Sequence, residues 1–225
     1  MEIFYFGHGC IQIITQGKTL LIDPFISPNE LAKDIDVNAL KPDYILLTHG
    51  HEDHVADAET IAKNSEAKII SNFEIVNWYG AKGLDGHPMN HGGQWEFDFG
   101  TLKMVNAVHS SVLPDGTHGG NPAGFVLKNE EGCVYIAGDT ALHFDMKLIP
   151  EFFTIDLAIL PIGDNFTMGP EEAVMAADFV KTNQVLGMHY DTFPYIEIDK
   201  EEAIELFKSK GIELTLLAVG SSTTI

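Results

Sequence analysis

The chain has 225 residues, of which 45% are hydrophobic, and a formal net charge of −20 that arises from 33 acidic residues against 13 basic ones. The hydrophobic content supports a substantial core and excludes a largely disordered chain. All the basic residues are lysines and they form no cluster, so the net charge disfavours nucleic acid and anionic lipid as partners.

The first fifth of the chain predicts a meander of β-strands. Residues 3–6, 11–15 and 19–22 are short apolar stretches separated by turns that contain glycine. Asp23 follows the third stretch and ends it, and residues 27–42 indicate a loop with one turn of helix. We predict the next strand at residues 43–48.

A metal-binding motif follows that strand. The apolar run Tyr44–Leu47 is typical of a buried strand, and ligands bind at the carboxyl edge of strands in layered α/β proteins. The run stops at a His-x-His-x-Asp-His sequence, whose ligand-type residues are His49, His51, Asp53 and His54. Imidazole and carboxylate suit zinc, iron, nickel or manganese, and four such groups exceed what one ion needs from one loop. The alternative is a polar loop that happens to be rich in histidine.

Strands and helices alternate through the rest of the chain. Apolar periodicity and capping residues predict helices at 53–65, 73–82, 170–181 and 200–208. The predicted strands lie at 67–71, 101–108, 123–128, 133–137, 157–160, 185–188 and 214–218. No linker interrupts this pattern, so we predict a single domain over residues 1–225. Each half opens with a strand meander, which predicts two mixed sheets face to face with helices outside, a four-layer α/β/β/α sandwich.

Several predicted strands end at a ligand-type residue, and strand ends on one edge of a layered sheet converge in space. The full set of candidates is His49, His51, Asp53, His54, His109, Asp139 and His189. Seven ligands suit two ions bridged by one carboxylate and one water. Two ions about 3.5–4 Å apart generate hydroxide near neutral pH and stabilise both the attacking and the leaving oxygen.

The motifs resemble the metallo-β-lactamase fold superfamily. They are similar to the branch of small metal-dependent hydrolases related to ascorbate-phosphate lactonase. Stretches that carry the resemblance span the whole chain and include residues 7–10, 21–24, 48–54, 109–111, 120–125, 137–140, 160–170 and 188–190.

The resemblance also implies roles for the candidate ligands. It implies one metal on His49, His51 and His109, a second metal on Asp53, His54 and His189, and Asp139 as the bridge between them. It further implies that Asp23 supports a ligand from behind by accepting the second N–H of an imidazole. The alternative for Asp23 is a strand-end carboxylate that caps a turn.

Four further polar residues are candidates for the substrate pocket: His8, His143, Asp164 and Asn165. His8 contacts either substrate or metal-bound water, or else it forms a structural hydrogen bond. Asn165 polarises a substrate oxygen, or else Asp164 and Asn165 hold their loop by turn hydrogen bonds. His118 is an alternative to His109 as a ligand, but His109 has the better position at a strand end.

These residues predict a dinuclear metal-dependent hydrolase. We expect metal-bound hydroxide to attack a carbonyl or phosphorus centre, with Asp53 as the catalytic residue that holds the hydroxide while also binding metal. The substrate is a small ester, lactone or phosphodiester, and the cofactors are two divalent ions per chain, zinc first and manganese, nickel or iron as alternatives. The competing functions are a nuclease of the same superfamily and a non-hydrolytic metal-binding or redox protein.

The sequence also predicts the cellular compartment of the protein. Cys10 and Cys133 lie among apolar residues, which indicates buried free thiols and a reducing compartment. The N-terminus lacks the basic region of a signal peptide, and no apolar stretch reaches 18 residues. We therefore expect a cytoplasmic enzyme with a small-molecule substrate and no membrane contact. For Trp78, Tyr79 and Trp95 the two alternatives are the interface of a homo-oligomer and the core of the protein.

Overall fold

The computed structural model describes residues 1–225 and contains two seven-stranded sheets. The strands are β1 Glu2–Tyr5, β2 Ile11–Thr15, β3 Lys18–Ile22, β4 Tyr44–Leu46, β5 Lys68–Asn72, β6 Gly86–Met89, β7 Gln94–Phe97, β8 Gly100–Asn106, β9 Ala123–Asn129, β10 Gly132–Ile136, β11 Leu157–Pro161, β12 Gln184–Met188, β13 Glu213–Thr215 and β14 Ser222–Thr224. The α-helices are α1 Glu52–Val55, α2 Ala58–Ser65, α3 Phe73–Gly80, α4 Pro170–Val180 and α5 Lys200–Ser209. Short 3₁₀ turns lie at Glu30–Ala32, Val37–Ala39, Phe144–Glu151 and Pro194–Ile196.

Each sheet is half antiparallel and half parallel. The first has the order β14-β1-β2-β3-β4-β5-β6 and the second has the order β13-β12-β11-β10-β9-β8-β7. Pairing is antiparallel from β14 to β3 and from β7 to β10, and parallel in the remainder. Strands β1, β3 and β4 therefore run in one direction, as do β8, β10 and β12 in the other sheet. The loops that follow these strands lie at one edge of each sheet.

Three apolar cores separate four layers. Side chains such as Ile13 and Phe125 fill the space between the two sheets. Tyr135 and Phe207 belong to a core between the second sheet and helices α4 and α5, and Ile61 belongs to the core on the other side, where α2 and α3 cover the first sheet. The predicted α/β/β/α sandwich is confirmed. No helix of the structure is long and apolar enough to cross a membrane.

The helix predicted at 53–65 is interrupted, because the chain forms α1 and α2 with residues 56 and 57 outside both. The break lies at Asp57, whose carboxylate accepts hydrogen bonds from the N–H groups of Ile26 and Ser27 at 2.7 and 2.8 Å. The N–H of Asp57 also donates to the carbonyl of Pro24 at 3.0 Å, so it does not make the helical hydrogen bond to residue 53. The contact ties the His-x-His-x-Asp-His segment to the loop after β3.

Three strands end earlier than predicted. Strands β4, β8 and β10 end three residues before His49, His109 and Asp139, so these side chains lie in loops rather than on the strands. The predicted last strand at 214–218 is shorter, and the polar C-terminal strand β14, which pairs with β1, was not predicted. The 27–42 loop contains two 3₁₀ turns instead of one turn of helix.

Candidate functional site

The loops at the common edge bring the predicted ligands together from both sheets. Two backbone hydrogen bonds join the sheets here, from the N–H of His189 to the carbonyl of His8 and from the N–H of Ala123 to the carbonyl of Thr48, both at 2.9 Å. The segments that carry the histidines are thus held together by main-chain contacts, independently of any ion.

One cluster of donors consists of His49, His51 and His109, whose ligand atoms all lie within 4.8 Å of one another. His49 Nε2 is 3.0 Å from His51 Nδ1. Two nitrogens bound to one tetrahedral ion at 2.0–2.1 Å would be about 3.4 Å apart, so this spacing fits a shared metal. Burial lowers the pKa of all three imidazoles, and the neutral imidazole is the form that binds metal.

A second cluster contains Asp53, His54 and His189, together with His8. The Nε2 atoms of His54 and His189 are each 4.0 Å from Asp53 Oδ2. Burial acts to lower the pKa of His54, but nearby carboxylates, first that of Asp139, hold it well above its usual value. The carboxylates around this point therefore favour a positive charge, either a proton or a metal ion that displaces it.

Asp139 lies between the two clusters. Its Oδ2 atom is 3.6 Å from His109 Nε2, 3.4 Å from His54 Nε2 and 3.0 Å from His189 Nε2. Burial alone would raise the pKa of this carboxyl, but His189 and His54 bring it well below the usual value. One carboxylate oxygen thus faces nitrogens of both groups, as a bridging ligand must.

Several of these buried atoms have no hydrogen-bond partner. They are His54 Nε2, Asp139 Oδ1 and both ring nitrogens of His189. Buried polar atoms without partners are costly, and a cluster of them that points at carboxylates matches what a cation would satisfy. The residues present therefore fit a metal centre.

Asp23 lies behind the second cluster. Its Oδ2 is 2.9 Å from His54 Nδ1, and Thr48 donates its N–H to Oδ1 at 2.8 Å and its hydroxyl to Oδ2 at 2.6 Å. Although Asp23 also lies near His49, its two oxygens are already occupied, which favours a supporting carboxylate over a ligand. The contact turns His54 Nε2 toward Asp139.

Thr48 is a functional candidate that sequence reasoning missed. Its hydroxyl donates to Asp23 and lies 3.0 Å from His49 Nδ1, so it accepts that ring's N–H and leaves His49 Nε2 free. Ser110 is a second such residue, with its Oγ 3.3 Å from His51 Nε2. In the sequence, Thr48 and Ser110 are distinguished only by lying next to His49 and His109. A hydroxyl residue next to a histidine is too common to predict a functional role.

We expect Thr48→Val to weaken metal binding by about 10–100-fold, the usual cost of losing a hydrogen bond that orients a ligand. Valine has a similar shape but no hydroxyl, so the hydroxyl contacts with His49 and with Asp23 Oδ2 are lost while the backbone N–H bond to Asp23 Oδ1 is kept. Thr48→Ser, which keeps the hydroxyl, is the matched control. Titration of the metal-free variants with zinc measures the change, and equal affinities for the two variants would refute this role.

A cleft of about 630 Å³ opens onto the two clusters. Its polar lining includes the carboxylates Glu52, Asp53 and Asp139. Its apolar lining is formed by Val112, Leu113, Pro114, Phe166 and Phe193. None of these wall residues was predicted, because no local pattern distinguishes them from other loop residues.

The residues predicted for the substrate pocket lie elsewhere. His8 is fully buried beside Asp53, His143 lines a separate cavity with Lys103 and Leu148, and Asp164 lies at an acidic surface groove. Asp164 Oδ1 accepts the N–H of Asn165 at 2.7 Å, which agrees with the turn interpretation of these two residues.

His118 lies outside both clusters. Its Nδ1 accepts the N–H of Gly120 at 3.0 Å, and its side chain is exposed. His109, by contrast, groups with His49 and His51. The geometry therefore favours His109 over His118 as the donor from this part of the chain.

Comparison with known proteins identifies the family. A family model described as a β-lactamase superfamily domain matches residues 2–189. A UPF0173 metal-dependent hydrolase of Flavobacterium johnsoniae is 58% identical over 222 residues, which cover 99% of each chain. The chain belongs to this family of metal-dependent hydrolases. A second UPF0173 relative, from Christiangramia forsetii, is 55% identical over 223 residues and again covers 99% of each chain.

A solved structure supports the same assignment for this UPF0173 chain. Igni18, a metallo hydrolase from the hyperthermophilic archaeon Ignicoccus hospitalis, superposes with a TM-score of 0.90 at 33% identity. The match covers 100% of the UPF0173 chain and 97% of Igni18. The expected superfamily and the expected hydrolase class are thereby confirmed.

Proposed function

We propose that this UPF0173 chain is a dinuclear hydrolase of small, uncharged carboxylic esters or lactones. The observation that carries the proposal is the position of Asp139, whose Oδ2 lies within 3.0–3.6 Å of nitrogens from both donor clusters. In this proposal His49, His51 and His109 hold one divalent ion, Asp53, His54 and His189 hold the other, and Asp139 bridges them. When bound, the ions lower the pKa of water and polarise the electrophile.

The protein's own groups position the nucleophile. The Asp53 side chain is 31% exposed and lines the cleft, so its carboxylate is accessible to a water molecule there. It accepts a hydrogen bond from the attacking water and holds that water toward the substrate carbon. The water oxygen bonds to the carbonyl carbon, the acyl–oxygen bond breaks, and the proton passes to the leaving oxygen.

The cleft favours an uncharged substrate. Its lining includes three carboxylates and five apolar wall residues but no lysine, and the chain contains no arginine with which to bind a phosphate by two hydrogen bonds. An ester or lactone with an apolar body meets the walls at Val112, Phe166 and Phe193 without leaving a charge unpaired. A phosphodiester would depend on the two ions alone for its charge, because the cleft offers neither lysine nor arginine, and a nucleic acid would also be repelled by the net charge of −20.

A substrate panel tests this proposal. The zinc, manganese and nickel forms are assayed on lactones, p-nitrophenyl esters, a chromogenic phosphodiester, a β-lactam and a thioester. We expect the highest kcat/KM on an uncharged ester or lactone. A preference for the phosphodiester would overturn the substrate class, whereas a coloured iron form inert to every substrate would overturn hydrolysis itself.

Phe166→Ala is expected to reduce selectivity for longer acyl chains. Each methylene buried against an apolar wall contributes about 0.8 kcal/mol, or about fourfold in binding. We expect the preference for a butyrate over an acetate ester to fall by about tenfold, mainly through KM. Phe144→Ala is the matched control, because Phe144 is also a solvent-exposed phenylalanine but lies away from the cleft. An unchanged chain-length preference would remove Phe166 from the substrate site.

A further inference from the structure

His8 lies directly behind the cleft and is completely buried. Its ring centroid is 4.0 Å from that of His189 and 5.3 Å from that of Phe193, and its backbone adopts the left-handed conformation with φ of 57°. Its carbonyl accepts the N–H of His189. Both ends of this residue are therefore fixed next to the second donor cluster.

Both ring nitrogens of His8 have hydrogen-bond partners. Nε2 lies 3.1 Å from Asp53 Oδ2, and Nδ1 lies 3.0 Å from Thr192 Oγ1. A carboxylate only accepts, so the Nε2–H donates to Asp53. In the neutral ring Nδ1 is then the acceptor. The Thr192 hydroxyl oxygen is 3.0 Å from Nδ1 and 3.3 Å from the Tyr190 carbonyl oxygen, so the shorter contact favours donation to Nδ1. The Asp53 carboxylate at Nε2 and the Thr192 hydroxyl at Nδ1 thus favour the same tautomer of His8, the one that presents a donor to Asp53.

We propose that His8 and Thr192 are positioning residues that orient the Asp53 carboxylate toward the attacking water. This inference rests on the proposed role of Asp53 in hydrolysis. His8 makes a hydrogen bond at each ring nitrogen, whereas the Nε2 atoms of His54 and His189 lie 3.4 and 3.0 Å from Asp139 Oδ2 but make no hydrogen bond. Because the Nε2 of His8 already makes a hydrogen bond to Asp53, a positioning role is favoured over a role as metal ligand.

The Asp53 side chain needs another residue to fix its orientation. Asp53 lies in α1, a helix of only four residues, and its side chain is partly exposed at the cleft. A partly exposed carboxylate has several rotamers open to it. The hydrogen bond from a buried and rigid imidazole restricts Asp53 to one of them, as a preorganised site requires.

Two pairs of variants test the proposal. His8→Phe removes the donor and fills the space, whereas His8→Gln keeps an N–H that can reach Asp53. Both replace a residue with φ of 57°, so the melting temperature of each variant is compared first. Thr192→Val removes only the hydroxyl, and Thr192→Ser restores it. The measurements are metal content, the visible absorption spectrum of the cobalt(II) form, kcat and KM on the best ester, and the tautomer of His8 from ¹⁵N NMR of histidine-labelled protein.

We expect His8→Phe and Thr192→Val to keep two ions but to show an altered cobalt spectrum and a kcat lower by about 10–100-fold, with little change in KM. His8→Gln and Thr192→Ser should recover most of the lost kcat. Loss of an ion in both His8 variants would make His8 a ligand and overturn the proposal. A cobalt spectrum and a kcat like those of the parent in both His8→Phe and Thr192→Val would also overturn it. If the parent hydrolyses no ester, the proposed function fails, and the His8 tautomer and cobalt spectrum still decide the positioning role.

Discussion

Replacing Asp139 with Asn is expected to remove at least one metal ion and nearly all activity. The carboxylate is 2% exposed and faces nitrogens of three histidines at 3.0–3.6 Å. A neutral amide is a poorer ligand and leaves the positive charges of the site without compensation. We expect kcat/KM to fall by more than the roughly 10²–10³-fold that accompanies loss of a single electrostatic contact in an active site.

Metal analysis and kinetics on the purified Asp139→Asn variant measure this effect. Asp145→Asn is the matched control, since Asp145 is an exposed carboxylate in the same half of the chain that accepts only a hydrogen bond from Asn106 at 3.1 Å. A variant of Asp139 that retained two ions per chain and a rate within about tenfold of the parent would refute the bridging role.

Removing the metal is expected to lower the melting temperature by about 5–10 °C. A ligand present at 100 times its dissociation constant stabilises the folded state by about 2.7 kcal/mol, and each kcal/mol corresponds to about 2–4 °C for a chain of this size. The buried atoms of His54, Asp139 and His189 that lack partners are the physical source of the loss.

Calorimetry of the protein before and after dialysis against chelator measures the shift. Readdition of zinc should restore the original transition, which controls for irreversible damage during dialysis. An unchanged melting curve after verified metal removal would show that the two donor clusters do not couple metal binding to folding.

The arrangement of the two sheets and the candidate ligands could be predicted from the sequence because both follow from local patterns. Apolar runs that stop at a histidine or an aspartate place the residue near a strand end. The seven predicted donors then meet because β4, β8, β10 and β12 all end at the site. Asp23 could be placed behind a ligand for the same reason, since it follows β3.

The features that could not be predicted depend on contacts between residues that are distant in sequence. The break at Asp57 coincides with main-chain and side-chain hydrogen bonds to a loop about thirty residues upstream, and Thr192 contacts His8, which is 184 residues away. Phe166 rather than Asn165 lines the cleft because the backbone at Asp164 and Asn165 turns through the left-handed region. No periodicity encodes such contacts, so the pocket could not be assigned from sequence even where the ligands could.

The most direct test of the dinuclear centre is anomalous X-ray scattering from crystals of the zinc-loaded protein. We predict two peaks about 3.5–4 Å apart. One should lie among His49, His51 and His109 and the other among Asp53, His54 and His189, with Asp139 between them. A single peak in this region, or ions bound elsewhere while both clusters remain empty, would contradict the proposed centre.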